Sequence, residues 1–321
     1  MSGMSGDLAS LAAELRAARG LAHKSDIAPV LARLRPGASA TVRNGDDCAA
    51  IPDGDGFLLF AIEGFLPEFV ADDPRFAGWC GVMVNVSDVY AMGGRPIAVV
   101  DAVFGASDAA AAPILDGLAA GARTYGVPVV GGHTNTRAGQ GGLSVAVLGR
   151  AQRLLTSFDA RPGEALIAAI DLRGAYREPH PFWDASTGAE PARLRGDLEV
   201  LPGLAEAGLC RAGKDISMAG LVGTALMLLE CSGAGARIDI DAIPRPEGVA
   251  LARWLQSFPS YGFLLTASEA DVPAVLARFA ARGIASAAIG RIDATRTLRI
   301  ARGAAEAEVW RLDAPLIGAA A

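Results

Sequence analysis

The chain has 321 residues, 51% of them apolar and 20% charged, with a formal net charge of −6. That length predicts two domains, and so apolar a composition supplies two buried cores and argues against disorder. No run of Lys and Arg stands out, so nucleic acid and anionic membrane surfaces are not expected partners.

Residues 7–19 carry apolar positions at helical spacing, and Ser25–Asp26 is placed to cap a second helix running to Leu34. Phe57 to Ile62 is a short apolar run between turn residues, which predicts a buried strand. Pro74 to Met92 returns to helical spacing and is stopped by Gly93-Gly94 and Pro96. A strand at 97–104, a helix from Ser107 to Tyr125, and strands at 127–130 and 143–151 follow. T-S-F-D-A-R-P-G-E at 156–164 is a candidate linker, with Pro162-Gly163 turning into a strand at Ala165–Ile170. A polar, aromatic stretch at 174–195 interrupts the pattern. Helices near 197–207, 217–231, 247–256 and 269–282 then alternate with strands near 236–240, 261–267 and 285–301. The alternation predicts two α/β domains, residues 1–157 and 158–321.

Cys48, Cys80, Cys210 and Cys231 are scattered without a C-x-x-C pair, which predicts buried or incidental thiols and neither disulfides nor a zinc site. The opening M-S-G-M-S-G-D lacks the order of a secretory signal, and no apolar stretch reaches the ~20 residues of a membrane span, so a cytoplasmic location is expected.

Three acidic segments carry the chemistry. In Asn44-Gly45-Asp46-Asp47 the adjacent carboxylates point to opposite faces, so one of the two can face an ion; N-G-D-D is also ordinary turn chemistry. In Asn85-Val86-Ser87-Asp88 the first and last residues share a face of an apolar helix, where a carboxylate needs a partner, whether an ion or a helix–helix hydrogen bond. In Lys214-Asp215-Ile216-Ser217 the Asp or Ser also suits a helix N-cap. Carboxylates from separate elements suit Mg²⁺, which takes oxygen ligands and bridges phosphate oxygens. Gly131-Gly132-His133-Thr134, after a strand, offers backbone N–H groups to phosphate. No Walker-type or protein-kinase motif is present.

Together these segments resemble the superfamily of AIR synthase, selenophosphate synthetase, thiamine-phosphate kinase and a hydrogenase-maturation dehydratase. G-D-D-C-A-A at 45–50, D-D-P-R-F-A-G at 72–78, N-V-S-D-V-Y-A-M-G-G-R-P at 85–96 and G-G-H-T at 131–134 carry the likeness in the first half. P-G-E-A-L-I at 162–167, D-I-S-M-A-G at 215–220 and Y-G-F-L-L at 261–265 carry it in the second. The motifs lie nearest to those of selenophosphate synthetase. The resemblance implies a PurM-like N-terminal sheet domain that dimerises, a PurM-like C-terminal α/β domain, and ATP held with Mg²⁺ in a homodimer. It implies Asp47, Asp88 and Asp215 as metal ligands with Asp46 and Glu63 beside them. Asn85, Gly131, Gly132 and Thr134 would lie along the nucleotide, and Lys24 would act in catalysis on the transferring phosphoryl group together with Asp47.

The departures are specific. Leu21 and His23 stand where selenophosphate synthetase has two thiols in a mobile loop, so selenide is disfavoured as substrate. Glu63 replaces an Asp, or matches the V-E-G of thiamine-phosphate kinase in another local alignment, and Met218-Ala219 replace the usual D-G or G-G. His180 falls in the least similar stretch, 173–195, where specificity for a small-molecule acceptor is expected. The function expected is Mg²⁺-dependent ATP use to phosphorylate or activate a small molecule. A thiamine-phosphate-kinase-like enzyme and an inert nucleotide-binding regulator are the alternatives.

Overall fold

The computed structural model describes residues 2–34 and 42–319, with side chains from Asp7 onward. Helices α1 (Ser2–Arg16), α2 (Arg19–Ser25) and α3 (Ile27–Leu34) come first. Strands β1 (Ala49–Asp53) and β2 (Gly56–Phe65) lead to α4 (Pro67–Asp72), α5 (Pro74–Ala91), β3 (Arg95–Phe104), α6 (Asp108–Tyr125), β4 (Val129–Asn135) and β5 (Gly142–Ala151). Next come β6 (Ala165–Ile170), the short pair β7 (Ala175–Tyr176) and β8 (Trp183–Asp184), α7 (Pro191–Leu198), α8 (Val200–Glu206), β9 (Ala212–Asp215) and α9 (Gly220–Ser232). The chain ends with β10 (Gly235–Asp239), α10 (Leu251–Leu255), β11 (Gly262–Ala267), α11 (Val272–Ala280), β12 (Ala285–Asp293), β13 (Thr297–Arg302) and β14 (Ala305–Arg311).

These elements form two compact α/β units. Residues 47–154 and 188–203 make the N-terminal unit; residues 1–46, 155–187 and 204–321 make the C-terminal unit. The division is therefore not collinear with a single cut near residue 157, because the described residues before Asp47 belong with the later half.

In the N-terminal unit the strand order is β1-β2-β5-β3-β4, with β3–β4 parallel and the other pairs antiparallel. Leu59, Val145, Val147, Val99 and Val103 are buried, and α5 is buried along nearly its whole length. Asp73 caps α5 by accepting from the Phe76 N–H at 3.1 Å, with Pro74 in the first turn. Gly78 and Gly117 let α5 and α6 touch: a Cβ on Gly78 would stand 2.0 Å from the Ile114 oxygen, and one on Gly117 1.9 Å from the Arg75 oxygen. Phe60, Ile62, Leu148 and Val100 are exposed, in two adjacent cross-strand rows.

The C-terminal unit is built on the order β14-β13-β10-β12-β6-β11-β9, with β10–β13 parallel. Every residue of β6 and β11 is buried, as expected of central strands that read as continuous apolar runs. Leu8, Ala12 and Leu15 of α1 join the core of α9, Trp254 and Leu255.

Five expectations are revised. The helix expected after Ser25–Asp26 is α3, which runs to Leu34, but Ser25 also ends the unexpected α2, its hydroxyl donating to the Ala22 carbonyl at 2.6 Å. β1, α4 and β9 form where no element was expected, and the strand expected at 285–301 is two, broken at Arg296 with φ +54°. The helix expected at 247–256 is the shorter α10. The strand placed at 127–130 is β4, which runs through Gly131-Gly132-His133-Thr134. All four cysteines are buried thiols.

Candidate active site

Asp88 lies in the last turn of the buried helix α5 and is 4% exposed. Its carboxylate and that of Asp47 bring oxygens within 4.8 Å of each other in the N-terminal unit. Two like charges at that separation repel each other and favour a cation between them. Asp46 goes elsewhere, its Oδ1 accepting from the Ser157 N–H at 2.5 Å within the C-terminal unit. The adjacent carboxylates thus diverge, although both precede β1 and lie in a bend, so strand alternation is not what separates them.

Asn85 is fully buried, and its amide donates to the Gly81 carbonyl at 2.8 Å and to the Val145 carbonyl at 3.0 Å. It ties α5 to β5. The sequence had offered a helix–helix bond for this helix; the partner is a strand.

Glu63, Val145, Asp101 and Gly132 form one cross-strand row over β2, β5, β3 and β4. Asp101 escaped the sequence reading, since an acid in V-V-D-A-V passes for the wet face of a strand. Burial raises its carboxyl above the ordinary range. Gly132 is required here: a Cβ would stand 2.7 Å from both the Asp101 main-chain oxygen and its Oδ2. Gly131 and Thr134 lie with it in β4, exposed along its length at the edge of the sheet, and not in a loop after the strand. An exposed edge strand still offers backbone N–H groups to an anion.

Asp215 ends β9 in the C-terminal unit and is 2% exposed. Neither it nor Ser217 caps α9, which begins at Gly220 without a side-chain cap. Lys24 sits in the last turn of α2. Gly20-Leu21-Ala22-His23-Lys24 is thus helical here, where the resemblance implied a mobile loop. Gly20 meets the Met218 carbonyl so closely that a Cβ would lie 2.0 Å from it. Leu21 is buried, and His23 Nδ1 lies 3.3 Å from the Met218 sulfur. The two departures from the motif pattern, at 21–23 and at 218–219, therefore pack against each other.

His180 stacks on Phe182, with centroids 4.8 Å apart and planes at 19°, and Phe182 meets Phe258 edge-on at 5.0 Å. Tyr176 lies under the Arg253 guanidinium at 3.7 Å, and its hydroxyl shares a 2.7 Å hydrogen bond with Ser257. The divergent stretch is folded through these aromatic contacts. No helix among the described residues is long and apolar enough to cross a membrane.

The profile of the AIR synthase related protein N-terminal domain matches residues 45–151, and that of its C-terminal domain matches residues 163–302. The uncharacterized protein sll0787 of Synechocystis sp. is 48% identical over 316 residues, covering 97% of this chain and 98% of that one. A selenide, water dikinase of Geobacter metallireducens is 30% identical over 227 residues, covering 64% of this chain and 62% of its own. Among solved structures, T. maritima PurL complexed with ADP superposes with a TM-score of 0.71 at 20% identity, over 85% of this chain. This chain spans only 46% of that PurL.

Proposed function

Because the chain belongs to the AIR synthase related protein family, through both of its domains, we propose that it is a cytoplasmic, Mg²⁺-dependent enzyme that uses ATP to phosphorylate or activate a small molecule. The observation that carries this reading is the approach of Asp47 and Asp88 within 4.8 Å. Two crowded carboxylates form an all-oxygen donor set, which fits a hard divalent cation and disfavours a thiophilic one. Asp215 is the third ligand in this proposal, and Glu63 and Asp101 stand near the metal and nucleotide. Asp46 serves as a brace. Bound Mg²⁺ would neutralise the charge of the ATP phosphates.

The edge of β4, at Gly131, Gly132 and Thr134, is proposed to lie along the nucleotide, with Asn85 fixing the helix that presents Asp88. Lys24 neutralises charge on the phosphoryl group in transfer. The complexes of T. maritima PurL with ADP and with ATP support the nucleotide. Selenide is not the proposed acceptor, since a buried Leu21 stands where a thiol would be needed. A homodimer is part of the proposal, because Phe60, Ile62, Leu148 and Val100 leave an apolar sheet face in water. Light scattering should return twice the chain mass at micromolar concentration; a monomer would remove that part.

Basal ATP hydrolysis with Mg²⁺, measured with and without a panel of small acceptors, tests the enzyme. Lys24→Ala should lower turnover by ~10²-fold while leaving ATP affinity near wild type. Asp47→Asn should lower both. A wild-type protein that binds Mg²⁺-ATP yet releases no ADP with any acceptor would make the chain a nucleotide-binding regulator instead.

A further inference from the structure

The C-terminal end of α9 carries Glu230, Cys231 and Ser232 in succession. Successive helix positions point about 100° apart, so three neighbours reach three different places. A carboxylate in the last turn opposes the helix dipole, so Glu230 is not there to stabilise α9. It is 1% exposed, and its carboxylate accepts four backbone N–H groups. Oε2 takes Leu316 at 2.7 Å and Ile317 at 3.0 Å; Oε1 takes Gly318 at 2.7 Å and Ala319 at 3.2 Å. Four such donors offset the cost of burying the charge.

The segment seated in this way closes on the acidic loop. A Cβ on Gly45 would stand 2.5 Å from the Ala319 Cβ and 2.8 Å from the Cys231 sulfur. Gly45 also has φ +129°, which a side chain would strain. The Cys231 thiol donates to the Gly45 carbonyl at 3.6 Å. The Ser232 hydroxyl donates to the Ser157 carbonyl at 2.7 Å and accepts from the Ala160 N–H at 3.1 Å. The Ser157 N–H in turn holds Asp46 Oδ1. One helix end thus grips Gly45 and Asp46 by three routes, and the next residue is Asp47.

We propose that Glu230, Cys231 and Ser232 are positioning residues for the acidic loop, and that the 316–319 segment is a working part of that device. The proposal rests on the reading of Asp47 as a ligand for Mg²⁺ in ATP use. None of the three residues needs to touch ATP or metal: each acts through Gly45 or Asp46, and only a correctly held loop presents the Asp47 carboxylate.

Glu230→Gln is the sharpest probe, because it keeps the shape while turning an amide NH₂ toward two of the four N–H donors. Hydrogen exchange followed by mass spectrometry, on the whole chain without metal, reads loop order directly. Exchange at residues 43–48 and at 316–319 should quicken about 10-fold or more together, with the far-ultraviolet circular dichroism unchanged. Calorimetry with ATP should show affinity about 10-fold weaker in Mg²⁺ and unchanged in EDTA. Ser232→Ala, which acts through Ser157 and Asp46, should quicken exchange at 43–48 and weaken Mg²⁺-dependent ATP affinity by about 3-fold each; it carries the test if Glu230→Gln does not fold, and a wild-type rate at 43–48 would then overturn the proposal. Exchange that quickens at 316–319 alone, leaving 43–48 at the wild-type rate, would overturn the proposal. The exchange arm decides the positioning claim even if wild type fails to bind Mg²⁺-ATP, a failure that would sink the functional reading by itself.

Discussion

Two carboxylates buried in helices make opposite use of their burial. Glu230, near the end of α9, faces four backbone N–H groups. Asp88, likewise in the last turn of its helix α5, faces the carboxylate of Asp47 within 4.8 Å. The first arrangement satisfies a negative charge with fixed dipoles and holds chain segments in place. The second concentrates negative charge, which costs stability unless a cation arrives. Burial alone therefore does not mark a functional acid; what faces it does.

Removing each charge should separate the two. Glu230→Ala leaves four buried N–H groups without their acceptor and should destabilise the fold by about 3–5 kcal/mol, read from urea unfolding. Asp88→Asn should leave stability unchanged or slightly higher in the absence of metal, because it relieves a like-charge contact. Equal destabilisation by the two changes would erase the contrast.

In Mg²⁺ the order reverses in kind. Asp88→Asn removes a charged ligand, so Mg²⁺-dependent ATP affinity should fall by about 10²-fold, or nearly 3 kcal/mol, in calorimetry. Wild-type affinity in that variant would mean that Asp88 is structural after all.

Asp101 lies between these extremes. Burial raises its carboxyl above the ordinary Asp value, so the folded state favours its protonated form. The stability it lends is full below the ordinary carboxylate range and is lost as pH rises through the raised value. Asp101→Asn should therefore stabilise the metal-free protein at neutral pH by about 0.5 kcal/mol or less after solvent screening. The gain should vanish at low pH, and thermal melts at the two pH values check this.

The sequence disclosed most where signals are local. The helix at 74–92 was visible from its apolar spacing after Pro74 and its Gly93-Gly94 stop, and the Ala165–Ile170 strand from six apolar residues after a Pro-Gly turn. The Asp47 and Asp88 segments were legible through motif order. What was hidden depends on tertiary partners. Helix α2 is short, and it is held by the burial of Leu21 and the contact of His23 with Met218, nearly two hundred residues away. Strand β4 carries two adjacent glycines, which read as a loop, yet Gly132 is demanded by the Asp101 carboxylate on the next strand. Glu230 looked like any acid in a helical pattern. Its role depends on a segment 86 residues later in the chain that folds back to meet it.

The account turns on a cation drawn to the Asp47–Asp88 pair and on ATP following that cation. Calorimetric titration of the intact protein with ATP, in Mg²⁺ and again in EDTA, measures this directly. Tight binding in Mg²⁺ with affinity at least about 10²-fold weaker in EDTA is the predicted result, since without the cation the carboxylates and the triphosphate repel each other. Equal affinity in the two buffers would contradict the account.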